Sequence, residues 1–227
     1  MRCQLNGPKA YSLAGASAFG SMVSLSHFSG KVLPCTTRRW NHEYAYKLSD
    51  GSGVSEVVAV NNHQFLVDER DGSGMADTPL LSDTASAAAV KKLFLTDLDG
   101  AQDVTAQSGD LSSYAVGKTE FLDIVAKLTA AGIDPYFIPS KIEGVAFGQD
   151  VVINGIAKHT LFVANDNDFL ATIADPKKLP EDLSRGYVEN PNLFYVFAFG
   201  DEDLPGYVPQ EIAERKDVSC AVDNGNR

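Results

Sequence analysis

The chain has 227 residues, of which 44% are hydrophobic, and a formal net charge of −11. That length and apolar share suffice for one domain with a full core. The acidic balance excludes the basic surface that nucleic-acid binding requires, and suits a surface that recruits cations. No run of about 18 apolar residues occurs, so no membrane-spanning helix is expected.

Residues 1–37 read as an irregular leader. "YSLAGASAFGSMVSLSHFSG" is rich in small residues, and its Ser and Gly interrupt the apolar stretch too often for a good signal peptide. Cys3, Cys35 and Cys220 lack C-x-x-C spacing, which excludes the usual zinc knuckles and a thioredoxin motif. They are equally compatible with a Cys3–Cys35 bridge and with three free thiols. From Asn41 the chain reads mostly as short strands. "HEYAYKL" alternates polar and aromatic side chains with the period of a half-buried strand. "SEVVAV" and "QFLVDER", separated by "NNH", predict a hairpin. "DGSGMADTPLLSDTASAAA" reads as a loop, and "VKKLFLTDL" resumes as a strand. "KTEFLDIVAKLTAAG" predicts the one helix, near residues 119–131. Phe121, Ile124, Val125 and Leu128 would share its face, and Gly132 would close it. "EGVAFG", "VVING", "HTLFVAN" and "NLFYVFAF" follow as strands bounded by turns. The tail, residues 204–227, is charged and aperiodic, and is expected to be disordered.

The strand pattern contains a repeat. With Glu56 set over Glu143, Val58 lies over Val145 and Ala59 over Ala146. Beyond the turn, Phe65 meets Phe162, Asp68 meets Asn165, Glu69 meets Asp166, and Asp71 meets Asp168. The second copy has a longer turn, "GQDVVINGIAKHT", with a strand-like piece of its own. Acids at both ends of both copies exceed what hydrophobic alternation requires. Small antiparallel blades of about 40–50 residues, as in a β-propeller, account for the spacing.

"GVSEVVAVNNHQFLVDERDG", "VKKLFLTDLDGAQDVT" and "KIEGVAFGQDVVINGIAKHTLFVANDNDF" together resemble the phytase-like domain family, often described as having esterase-like activity. The resemblance runs from about Arg38 to Asp203, and "KIEG" and "NDND" are its most specific parts. It implies an all-β fold of β-propeller-like antiparallel blades with one short helix insertion. Relatives are usually longer, so residues 38–203 read as an incomplete, unclosed propeller. The resemblance further implies a hydrolase of a small phosphate or carboxylic ester, secreted or periplasmic. Clustered acids would hold calcium. By position the candidate ligands are Glu143, Asn165, Asp166 and Asp168, with Glu56, Glu69 and Asp71 from the earlier copy. Lys141 and Arg70 are candidates to steer phosphate. Hard divalent cations want six to eight oxygen ligands, which carboxylates and amides supply. A bound metal would lower the pKa of a bound water and so dispense with a serine or histidine nucleophile. Antiparallel pairing would bring Glu143, at the start of one strand, beside Asp166, at the end of its partner. The bland alternative is that "NDND" and "DERD" are turn-forming runs that end strands.

Two rival functions remain. One is a non-catalytic secreted propeller that serves as a binding or scaffold domain. The other is a haloacid-dehalogenase-type phosphatase, because "LFLTDLDG" places Asp97 and Asp99 after an apolar strand as such enzymes do. That family needs a doubly wound sheet with many helices, and this chain offers one. No G-x-S-x-G motif occurs. His27, His42, His63 and His159 fall in no metal-binding spacing, and Trp40 and the tyrosines read as blade packing.

Overall fold

The computed structural model describes residues 42–209 and the backbone of Met22–His27. The rest of the expected leader, and residues 210–227 of the expected disordered tail, lie outside the described residues. Within the leader stretch Met22–His27 is a strand, β1, which pairs antiparallel with β2 (His42–Lys47).

Two larger antiparallel sheets make the body. The first runs in chain order as β3 (Gly53–Ala59), β4 (Gln64–Arg70), β5 (Lys91–Asp97) and β6 (Lys118–Asp123). The helix α1 (Ile124–Ala130) follows β6 directly. The second sheet has the order β12 (Phe194–Phe199), β9 (Ile156–Asn165), β7 (Ile142–Phe147), with β8 (Val151–Ile153) paired to β9 beyond its end. A two-stranded ribbon joins β10 (Thr172–Ala174) to β11 (Tyr187–Glu189). The described residues are therefore all-β and antiparallel with one α-helix, as the strand pattern predicts. A doubly wound sheet of the dehalogenase type is absent among the described residues. None of their helices is long and apolar enough to cross a membrane.

Alternation explains the layers. On β4, Leu66 faces the main core, while Val67 points the other way to join Tyr46 and Leu48 against β2. The main core draws Leu66 and Leu93 from the first sheet, Ile124 and Leu128 from α1, and Ile142, Val145, Leu161, Val163 and Phe199 from the second. All nine are buried, and each such side chain contributes about 1.5–3 kcal/mol relative to exposure. Packing thus sets β3 against β7 at the seam between the two sheets.

The helix is shorter than its sequence predicts. Lys118–Asp123 is a strand because its backbone completes the edge of β5, so Phe121 packs from β6 and meets Phe199 edge-on at 5.7 Å. Asp123 then starts the helix by accepting from the Ala126 amide at 2.9 Å. The stop is as expected: Gly132 has φ +91°, and the Ile133 amide reaches back to the Leu128 carbonyl at 3.0 Å. The start of the tail also differs from expectation. Leu204 is fully buried, and Tyr207 stacks on Phe147 at 4.4 Å, so apolar packing fixes the chain through residue 209.

Candidate functional site

The repeat is real in three dimensions. Ala59 pairs with Phe65 in the first copy and Ala146 with Phe162 in the second, so both hairpins share one register. Both also slip at their acidic ends, between Val54 and Glu56 on β3 and between Ile142 and Gly144 on β7. Such bulges bend a strand and re-aim its side chains. Here they bring Ser55 and Glu143 together around the end of β4.

Arg70, the last residue of β4, ties the seam. Its Nε donates to Ser55 Oγ at 2.6 Å, its Nη1 to the Asp71 carbonyl at 3.4 Å, and its Nη2 to Glu143 Oε1. The Arg70–Glu143 pair therefore bridges the two sheets and remains partly open to solvent. Behind it lies Asp68, which shares the face of Arg70 and stands opposite Glu56 across the ladder. Asp68 is 1% exposed, and neither carboxylate oxygen has a hydrogen-bond partner among the described residues. Burial pushes its pKa up to about 8. Arg70 and Lys91 oppose that shift, and the charges of Glu56 and Glu143 add to it. At neutral pH Asp68 thus holds its proton, an unusual state for a strand aspartate and one that marks functional sites. Glu56 is half-buried and accepts from the amide of Val57 at 2.9 Å.

The surrounding charges are pinned. Lys91 is fully buried, and its Nζ donates to Asp71 Oδ1 at 2.5 Å and to the carbonyls of Asp71, Ser73 and Val90. Burial pushes the Asp71 carboxyl up, but the hydrogen bonds from Lys91 and Ser73 outweigh it and leave Asp71 below its usual range. Lys91 is lowered by its own burial, which Asp71 only partly offsets.

The candidates named from sequence fall into three places. Glu56, Glu143, Arg70 and Asp71 meet at the seam. Asn165, Asp166, Asp168 and Lys141 gather at the end of β9, where the Asp166 amide donates to the Lys141 carbonyl at 3.0 Å and Lys141 pairs with Asp168. Strand ends do meet there as antiparallel pairing requires, but the Glu143 carboxylate is aimed at Arg70 instead. Asn165 is buried and spent locally: its Oδ1 accepts from the Leu193 amide at 2.7 Å, and its Nδ2 donates to the Pro191 carbonyl at 3.4 Å. Glu69 is on the opposite face of β4, fully buried among Tyr46, Ser49 and Lys118. Asp97 and Asp99 form a turn, in which Asp97 accepts from the Asp99 amide at 2.8 Å.

Asp68 was missing from the sequence-derived set. Its signal was present, since it aligns with Asn165 in the repeat, but "FLVDER" alone does not say which of two adjacent acids faces inward. For a divalent cation the donor chemistry at the seam fits: three carboxylates, one with both oxygens unpartnered. The present arrangement gives Glu143 to Arg70, and no group of three or more His, Cys, Asp or Glu side chains is placed to hold a metal ion among the described residues.

No curated protein and no solved structure matches the chain. Residues 15–169 match the phytase-like family, described as "esterase-like activity of phytase", and the match begins ahead of the Arg38 boundary drawn from sequence. With more than half of its length covered, this chain belongs to the phytase-like family, a family of esterase-like hydrolases.

Proposed function

We propose that the chain hydrolyses phosphoric esters with the help of calcium, at the seam between β3 and β7. The observation that carries this reading is Asp68: a fully buried carboxyl with no hydrogen-bond partner among the described residues, flanked by Glu56, Glu143 and the guanidinium of Arg70. A native protein rarely leaves such a group unsatisfied without a use for it.

In this reading Glu56, Asp68 and Glu143 hold the cation. Calcium, when bound, would neutralise phosphate charge and lower the pKa of a bound water. The remaining roles belong to the chain. Asp68 would serve as a ligand only in its ionised form, its proton passing to solvent. Glu143 has one carboxylate to share between Arg70 and a cation. Arg70 Nη2 would suit a phosphate oxygen through a charge-assisted hydrogen bond. Ser55 and the Asp71 carbonyl keep the rest of the fork in place, and Lys91 braces Asp71 from beneath. Family membership supports an ester-cleaving enzyme, and the antiparallel sheets suit blades of a propeller. We assign the protein to the periplasm, the cell surface or the medium on the same family reading.

A second reading is favoured by a different observation. Glu143, Asp71, Glu69 and Asp168 each already pair with a protein cation. A non-catalytic binding or scaffold domain needs no more than that. Hydrolysis of a chromogenic phosphate ester and of a matching carboxylic ester, each with calcium and with chelator, separates the readings. Calcium-dependent cleavage of the phosphate ester is expected. Absence of turnover on either ester, with calcium supplied, refutes the enzyme reading.

A further inference from the structure

The segment after β12 crosses from the second sheet to the first. Leu204 is fully buried in the main core that the two sheets share. Gly206 offers its carbonyl to Asn61 Nδ2 at 2.9 Å, and the Val208 amide donates to the Val60 carbonyl at 3.0 Å. Val60 and Asn61 lie in the turn between β3 and β4, at the end of that hairpin away from Arg70. Residues 200–208 therefore form a strap between the sheets at the far end of β4.

His159 on β9 holds the start of this strap. It stands opposite Phe199, the last residue of β12, and its ring meets those of Phe199 and Tyr207 at 5.3 and 4.8 Å. Its Nδ1 is 2.7 Å from Asp150 Oδ1, in the turn between β7 and β8, and its Nε2 is 2.8 Å from Asp201 Oδ1, in the strap. A carboxylate accepts hydrogen bonds and does not donate them, whereas a neutral imidazole carries a single N–H. Carboxylates on both ring nitrogens therefore call for the imidazolium, which donates from each. The hydrogen bonds to Asp150 and Asp201 accordingly raise the His159 pKa above its ordinary value, and burial only partly opposes them. Other ionisable side chains at this corner leave that balance to His159. Tyr207 stays neutral, since burial and the Asp150 charge raise its hydroxyl. Lys158 pairs with Glu202 at 3.2 Å, and Asp203 accepts from the Gly200 amide at 2.7 Å.

We propose that His159 is a pH-sensitive latch, which ties the strap to β9 when protonated and releases it when neutral. Once the ring gives a proton to solvent, one nitrogen keeps its N–H and the other turns a lone pair on a carboxylate. Asp201 is the carboxylate released, because it is 96% exposed against 51% for Asp150 and water solvates it more readily. The strap then keeps Leu204 and its bonds to Val60 and Asn61, but its first turn comes away from β9. The latch is closed below the ordinary histidine range and opens as pH rises through the raised value.

Hydrogen exchange of residues 200–209 tests this, corrected for intrinsic rates and taken relative to exchange in β4 and β5, so that a change in global stability cancels. In the wild type the relative exchange is expected to rise about three- to fivefold between about pH 5.5 and about pH 9, the upper range for a solvent-screened ion pair. The rise should follow the His159 titration recorded by NMR. His159→Gln, which can donate but not titrate, should show no such rise. Asp201→Asn should stay protected throughout, because its amide can accept from the imidazolium and donate to the neutral ring. A wild type without the rise, or an equal rise in either variant, overturns the inference and leaves the hydrolase reading standing.

Discussion

The two copies of the acid-ended hairpin share a register beside the turn and each carries a bulge, and at one buried position they hold different polar side chains. In the second copy that position is Asn165, whose amide is satisfied on both sides by the backbone of Pro191 and Leu193. In the first it is Asp68, also buried, with neither oxygen hydrogen-bonded among the described residues. A neutral amide meets the structural need at this place in the fold. The carboxyl does not, and its charged form is strongly disfavoured there. The second copy therefore meets this position with a satisfied amide, and the first holds a carboxyl there with no hydrogen bond.

The largest effect that sharpens this contrast is on stability against pH. Asp68 is raised from the ordinary aspartate range to about 8 in the folded protein. Between about pH 4 and pH 8 the unfolded chain has released this proton while the folded one retains it, so the folded state binds more protons and stability falls as pH rises. At about 1.4 kcal/mol per pH unit of displacement, the loss amounts to several kcal/mol by pH 8. His159, raised by its hydrogen bonds to Asp150 and Asp201, loses stabilisation in the same direction above its ordinary range. Denaturant melts of the wild type and Asp68→Asn at pH 5 and pH 8 isolate the aspartate term. The variant should show the smaller decline, and parallel declines would mean that Asp68 titrates normally.

Catalysis is the next largest effect. Asp68→Asn gives the first copy the amide of the second at this position and, if Asp68 is a cation ligand as proposed, should lower calcium-dependent phosphate-ester hydrolysis about 100-fold, the upper end of what loss of an outer-shell partner costs a metal site. Initial rates at saturating calcium decide this, and a variant within threefold of wild type would remove Asp68 from the site.

The reverse exchange is smaller. Asn165→Asp replaces a donating Nδ2 with an oxygen that faces the Pro191 carbonyl. At pH 7 it should cost about 1–3 kcal/mol of stability, the range for a buried polar group that loses its partner. Urea denaturation measures it, and recovery at pH 4 is expected because a protonated carboxyl can donate in its place. An equally stable variant at pH 7 would show that the second copy tolerates charge as the first does.

Glu143→Gln has the mildest expected effect on the fold. The Arg70–Glu143 pair is about a fifth to a third exposed, so solvent screening holds its contribution to about 1 kcal/mol. The same denaturation experiment checks it, and a loss above about 3 kcal/mol would mark the pair as a structural keystone rather than an exchangeable one.

Much of this contrast was legible in the sequence, and the illegible part has physical causes. Strand alternation, the hairpins and the repeat emerge from side-chain period and turn residues, and pairing of Ala59 with Phe65 and Ala146 with Phe162 follows the repeat alignment. "KTEFLD" reads as helix from sequence but forms a strand, because Phe121 and Leu122 suit either period and only the need of β5 for a partner decides between them. The choice between Asp68 and Glu69 is not legible in sequence, because adjacent strand residues face opposite ways and the inward parity depends on register. The packing of Tyr207 is not legible in a charged tail, since its partners Phe147 and His159 are distant in sequence. The pairing of Arg70 with Glu143, rather than of Glu143 with Asp166, depends on how two sheets stack, which no single strand encodes.

The central proposal is that the seam acids Glu56, Asp68 and Glu143 would hold a cation. A calcium titration of the melting temperature at pH 7, run on the wild type and on Asp68→Asn, tests it most directly. Ligand binding to the folded state alone stabilises by mass action, so the account predicts a rise of several degrees in the wild type and none in Asp68→Asn. A wild-type melting curve that calcium leaves unmoved, or an equal rise in both proteins, would contradict it.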